Sequence, residues 1–102
     1  MPKFVYVYTG GQMAGTPEEQ EKAMQDWIAW FGQLGEAVTD PGNPFGASAT
    51  VSPGGVTDGG ESKASGYSIV TADSLSDATA KAKGCPLLTG RGNVEIYEAL
   101  VM

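Results

Sequence analysis

The sequence predicts an α+β fold, a four-stranded antiparallel sheet with two helices on one face in the ferredoxin-like order β-α-β-β-α-β. Three observations carry this. An aromatic and β-branched run opens the chain, two segments with helical apolar spacing each follow a strand-like segment, and a further β-rich run closes it.

The first strand is read at Phe4 to Tyr8, where every residue is β-branched or aromatic. Val5 and Val7 face one way and Phe4, Tyr6 and Tyr8 the other, so this strand expects cover on both sides. A glycine-rich connection, Thr9 to Gly15, leads to the first helix. Thr16 is its N-cap, Pro17 takes the first helical position and Glu19 completes a capping box. Glu18, Glu19 and Glu21 complement the positive end of the helix dipole. Met24, Trp27, Ile28, Phe31 and Leu34 recur at three- and four-residue spacing and form one apolar stripe with Trp30 at its edge, and Gly35 ends the helix.

The segment Thr39 to Gly46 has two prolines and two glycines and reads as irregular. Ala47 to Ser52 alternates small apolar with hydroxyl residues and is taken as the second strand, and Pro53 to Ser65 as a long polar loop. Gly66 to Ala72 alternates again and is the third strand. Asp73 or Ser74 caps a second helix whose Leu75, Ala78, Thr79 and Ala82 share a face, with side chains small enough for close approach to a sheet. Gly84-Cys85-Pro86 stops it, Leu87 to Asn93 is a loop, and Val94 to Leu100 is the last strand. Tyr6, Tyr8, Tyr67, Tyr97 and the Ser48/Thr50/Ser52 row exceed what two helices can cover. Some of them therefore line an open sheet face, and a second copy of the chain is the expected cover.

Composition bounds the chemistry. A chain of 102 residues makes one domain, residues 1–102. With no histidine there is no Ser-His-Asp or Cys-His machinery, and with Cys85 the single cysteine neither a zinc site nor an internal disulfide is expected. No carboxylate run has calcium-loop spacing, so neither metal nor other cofactor is called for. The net charge of -6 and the scatter of Lys3, Lys22, Lys63, Lys81, Lys83 and Arg91 argue against nucleic acid. No apolar run is long enough to span a bilayer or form a signal-peptide core, so the expectation is a soluble, cytoplasmic protein without membrane partners.

The residues also suggest a family. Asp40-Pro41-Gly42-Asn43-Pro44-Phe45-Gly46, Val56-Thr57-Asp58-Gly59, the stretch from Gly66-Tyr67-Ser68 to Ala72-Asp73-Ser74-Leu75, Gly84-Cys85-Pro86 and Val94 to Glu98 together resemble the YCII-related family, in the branch named for an Asp-Gly-Pro-Phe motif. The resemblance spans essentially the whole chain. It implies a dimeric α+β barrel in which two ferredoxin-like sheets face each other across a cavity, and small-molecule binding or enzymatic activity in that cavity. The chain departs from the family pattern at two places. Trp27 stands at the position matching the family's helix histidine, and Gly60-Glu61 follow Asp58-Gly59 where Pro-Phe is the motif.

The candidate ligand-binding residues are Tyr8, Trp27, Asn43, Asp58 and Ser68, and the candidate acid–base groups are Asp58 and Glu95, with Asp40 or a tyrosine behind them. Each has a plainer reading beside it. Asp58-Gly59 is also ordinary turn chemistry, and Asn43 between Gly42 and Pro44 is either a tight turn or a presented amide. Trp27 is either core or a pocket wall, and Tyr8 either a packed phenol or a site group. Glu95 either faces a cavity or sits at a solvated edge. Cys85 has no basic neighbour in sequence and reads as an inert thiol; the Gly10 to Gly15 loop lacks the lysine of a phosphate loop and reads as a plain connection. Whether the protein is an enzyme is left open. The two functional expectations are a homodimer holding a small, aromatic molecule between sheet and partner, and a non-catalytic dimeric interaction module with a vestigial cavity.

Overall fold

Both helices begin where their caps place them. In the structure, a computed structural model that describes residues 2–10, 16–60, 64–90 and 92–100, helix α1 covers Pro17–Leu34 and helix α2 Leu75–Ala82. Thr16 Oγ1 accepts the Glu19 amide at 3.1 Å, and Ser74, rather than Asp73, caps the second helix by accepting the Asp77 amide at 3.1 Å. The six strands are β1 (Lys3–Gly10), β2 (Val38–Asp40), β3 (Ala49–Ser52), β4 (Gly55–Asp58), β5 (Ala64–Thr71) and β6 (Gly92–Ala99), with short 3-10 turns at Gly35–Ala37 and Pro86–Gly90. Residues 11–15, most of the glycine-rich connection, lie outside the described residues.

The architecture is α+β, with a four-stranded antiparallel sheet in the order β2-β5-β1-β6 and two helices. The expected second strand is corrected. Ala49–Ser52 does not enter this sheet; it pairs with Gly55–Asp58 in a separate hairpin across a Pro53-Gly54 turn, inside what reads as a polar loop. The fourth strand of the main sheet is instead Val38–Asp40, followed by the proline-rich segment that reads as irregular. Val38 pairs with Val70 and Asp40 with Ile69 across a bulge, and Pro41, lacking an N–H, ends the regular ladder. The chain nevertheless stays extended along β5. The Tyr67 amide donates to the Asn43 carbonyl at 3.3 Å, Pro44 pairs with Gly66, and the Phe45 amide donates to the Ser65 carbonyl at 2.9 Å.

One face of the sheet holds the core: Phe4, Tyr6 and Tyr8 from β1, with Ser68 and Val70 from β5, all buried. Ala78 and Ala82 of α2 bring that helix close enough for the Tyr6 hydroxyl to donate to the Ala78 carbonyl at 2.6 Å. Helix α1 departs from its expected packing. Trp30, placed at the edge of the stripe by spacing, is the one buried residue of the helix at 3 % exposure, while Met24 and Ile28 are 66 % and 64 % exposed. Trp30 lies against Tyr6 with ring centres 6.0 Å apart and donates its Nε1–H to the Lys81 carbonyl at 3.2 Å, which ties the two helices together. The opposite face carries Val5, Val7 and Ile69, partly buried by strand neighbours, and Tyr97, more than half exposed; no described element lies across it.

Tyr6 and Cys85 are two of the buried core acids that are neutral at ordinary pH. Burial first, and the nearby Asp77 charge and Cys85 second, push the Tyr6 phenol from 10.0 up to about 12, and burial pushes the Cys85 thiol from 9.0 up to about 11. An acid whose folded value is raised contributes stability that is complete below its unfolded value and is lost as pH climbs through its folded value. Stability measured by urea denaturation is therefore expected to hold to about pH 9 and then fall between about pH 9 and 12, by an amount of order 2 kcal/mol per group at about 1.4 kcal/mol per unit. A flat profile to pH 12 would contradict the burial of both groups.

Candidate functional site

The apolar stripe of α1 and the proline segment after β2 leave a cleft between them. Trp30 is the one buried residue of the helix, and Met24, Trp27 and Phe31 border an open space of about 460 Å3. Residues Pro41 to Pro44 form the opposite wall, the ends of β1 and β5 the floor, and Leu87 closes one side. The helical wall is aromatic. The Tyr8 ring meets Trp27 edge-on at 5.0 Å, and Phe31 lies 5.8 Å from Trp27.

Glycine makes the far wall possible. Gly42 has φ +76°, and a Cβ there would stand 1.7 Å from the Tyr67 carbonyl oxygen, so only glycine lets this segment cross β5 so closely. Asp40 holds the crossing in place by accepting the Gly42 amide at 2.8 Å.

A chain of hydroxyls runs along the floor. Tyr8 donates to Ser68 Oγ at 2.7 Å, and Ser68 donates to the Pro41 carbonyl at 2.6 Å, joining floor to wall. Ser65 donates to the Tyr8 carbonyl at 3.0 Å, and the Tyr67 hydroxyl to Asp40 Oδ2 at 3.4 Å. Burial raises the Tyr8 phenol well above its ordinary value, an effect that the Ser68 hydrogen bond only partly opposes, so Tyr8 is a neutral group and not a base at neutral pH.

Of the five candidate binding residues, Tyr8, Trp27, Asn43 and Ser68 line this one cleft. The cleft is enclosed within one chain, on the helical side of the sheet. Asp58 is not brought to it. It is exposed on β4, opposite Ala49, and the following Gly59 adopts φ +84° with its amide donating to the Ser48 carbonyl at 2.9 Å, which puts Asp58-Gly59 at the open end of the hairpin, away from its Pro53-Gly54 turn. Glu95 is likewise absent from the cleft. It is exposed on the open sheet face, opposite Val7, and accepts from the Tyr97 hydroxyl at 3.3 Å. Cys85 is buried with its thiol pushed up to about 11, too high for a thiolate nucleophile at neutral pH.

Pro41, Pro44, Tyr67, Met24, Phe31 and Leu87 belong to the site without having been singled out from the sequence. The signal for Met24 and Phe31 was their shared stripe with Trp27. Nothing local marks Leu87. Among the described residues no group of three or more His, Cys, Asp or Glu side chains is gathered to hold a metal ion, and no helix is long and apolar enough to cross a membrane. No protein-family model matches the chain, and no curated protein matches it.

Proposed function

We propose that this protein binds a small aromatic molecule in the cleft between α1 and residues 41–44. The observation that carries this reading is the cleft itself: about 460 Å3, walled by Trp27, Phe31, Pro41, Pro44 and Tyr67, with a few polar groups from Tyr8, Ser68 and Asn43 to fix orientation. Ligand sites of small molecules have this size and this balance of apolar wall and sparse polar anchors. No carboxylate lines the cleft among the described residues, and its phenol holds its proton, so the geometry favours binding over acid–base catalysis.

The test is a panel of aromatic probes read by thermal stabilisation and by amide chemical shifts. A binder is expected to move the Tyr8, Asn43 and Ser68 signals, and Trp27→Ala to weaken it about tenfold or more, as a wall aromatic at the centre of a site does. A panel with no response, or one whose shifts fall away from these residues, would overturn the reading.

The second element of the proposal is assembly. The strand order supports a ferredoxin-like topology, and the reading adds the YCII-related assembly, a homodimer in which two sheets meet through the face of Val5, Val7, Ile69 and Tyr97. Sedimentation at micromolar concentration is expected to give a dimer, and Ile69→Asp, which puts an unpaired charge in that face, a monomer. A wild-type monomer would count against this assembly while leaving the cleft, which one chain encloses, untouched.

A further inference from the structure

The protons of the cleft's hydroxyl groups can be assigned without seeing them. A carbonyl oxygen can only accept, so the 2.6 Å contact between Ser68 Oγ and the Pro41 carbonyl uses the single Ser68 proton. The 2.7 Å contact between Tyr8 and Ser68 must then use the Tyr8 proton. The Ser65 proton goes by the same logic to the Tyr8 carbonyl, and the Tyr67 proton to the Asp40 carboxylate. Four hydroxyl-bearing residues line the cleft, and every one of their protons is committed within the protein. What they have left is lone pairs.

The charges agree with this accounting. No lysine or arginine lines the cleft among the described residues, Asp40 is bonded to its Tyr67 wall, and the chain as a whole carries -6. An anion entering would find hydroxyl lone pairs and a net-negative chain, with no cation to meet it. The Asn43 amide at the exposed rim and the Trp27 indole N–H are the side-chain donors beside these hydroxyls, and both are neutral. We infer that the cleft selects flat molecules that donate a hydrogen bond and carry no negative charge, such as phenols or aromatic N–H compounds, and rejects aromatic carboxylates and phosphates. This rests on the cleft being the binding site.

Three probes of one shape separate the possibilities: naphthol, its methyl ether methoxynaphthalene, and naphthoate, titrated into the intact chain at neutral pH by calorimetry, with amide shifts reporting the site. Naphthol is expected to bind about three- to tenfold more tightly than the ether, the worth of one net hydrogen bond, and more than tenfold more tightly than naphthoate. In Tyr8→Phe the preference for naphthol over the ether should shrink to within about twofold. If that variant does not fold, the wild-type order of the three probes still decides. Naphthoate binding as tightly as naphthol, with shifts at Tyr8 and Ser68, would overturn the inference and leave the site standing. Shifts at these residues with none of the three probes would overturn both together.

Discussion

Trp30→Ala is expected to destabilise the protein by about 3–5 kcal/mol, the range for removing a large buried aromatic, and to lower the melting temperature by more than about 10 °C in a domain of this size. Trp30 is the one point at which α1 is buried. It stacks on Tyr6, meets Trp27 and Phe31 at ring distances of 5.6 and 5.2 Å, and donates to the Lys81 carbonyl of α2. Removing it opens a cavity and leaves that carbonyl without its indole partner. Since a domain of this kind is stable by only about 5–15 kcal/mol in total, the loss is a large fraction of the whole. Met24→Ala, on the same helix but 66 % exposed, is expected to change stability by less than about 1 kcal/mol. Denaturation followed by far-ultraviolet circular dichroism distinguishes the two. Equal effects would mean that the helix is held by its stripe and not by Trp30.

Gly42→Ala is expected to cost about 2 kcal/mol or more and to weaken aromatic ligand binding at least tenfold. Two penalties coincide there. At φ +76° a side chain strains the backbone by about 1–3 kcal/mol, and the new Cβ would stand 1.7 Å from a backbone oxygen of β5, a contact that no rotamer change relieves. The segment must lift from the sheet. Lifting it pulls the Pro41 carbonyl from Ser68 and widens the cleft, so stability and binding fall together. Gly46→Ala is the control. It has no atom within 4 Å of the new Cβ and no positive φ, and should leave both properties within about 0.5 kcal/mol of the wild type. A neutral Gly42→Ala would show that the wall is not seated on β5 as described.

The parts of this fold that could be read in the chain are those decided within a few residues. Thr16 and Ser74 cap their helices by bonding an amide three positions on, and Phe4 to Tyr8 form a strand because every side chain there suits one. The main error also has a local origin. Val38–Asp40 has three residues, below the length at which alternation shows, while Ala47 to Ser52 alternates well and yet pairs only with its own hairpin partner. Its small side chains and exposed Val51 had little to bury. The Pro-Gly pair between Val51 and Val56 was a legible turn, obscured by the polar residues around it.

Sequence by itself determined the α+β class, the helix limits, and the absence of histidine-based chemistry; each follows from local spacing or from composition. Tyr8, Trp27, Asn43 and Ser68 could be nominated from residue type, but only tertiary structure brought them to one cleft and left Asp58 and Glu95 outside it. The reason is that spacing specifies which face of a helix is apolar and not what the face meets. Trp30 is buried while Met24 and Ile28 are not because α1 meets the rest of the chain through Trp30 at Tyr6 and Lys81 and through Trp27 at Tyr8, residues distant in the chain. The same holds for the hydroxyl protons of the cleft. Their acceptors, Ser68 for Tyr8 and Pro41 for Ser68, lie 60 and 27 residues away, and only folding decides that none of those protons is left for a ligand.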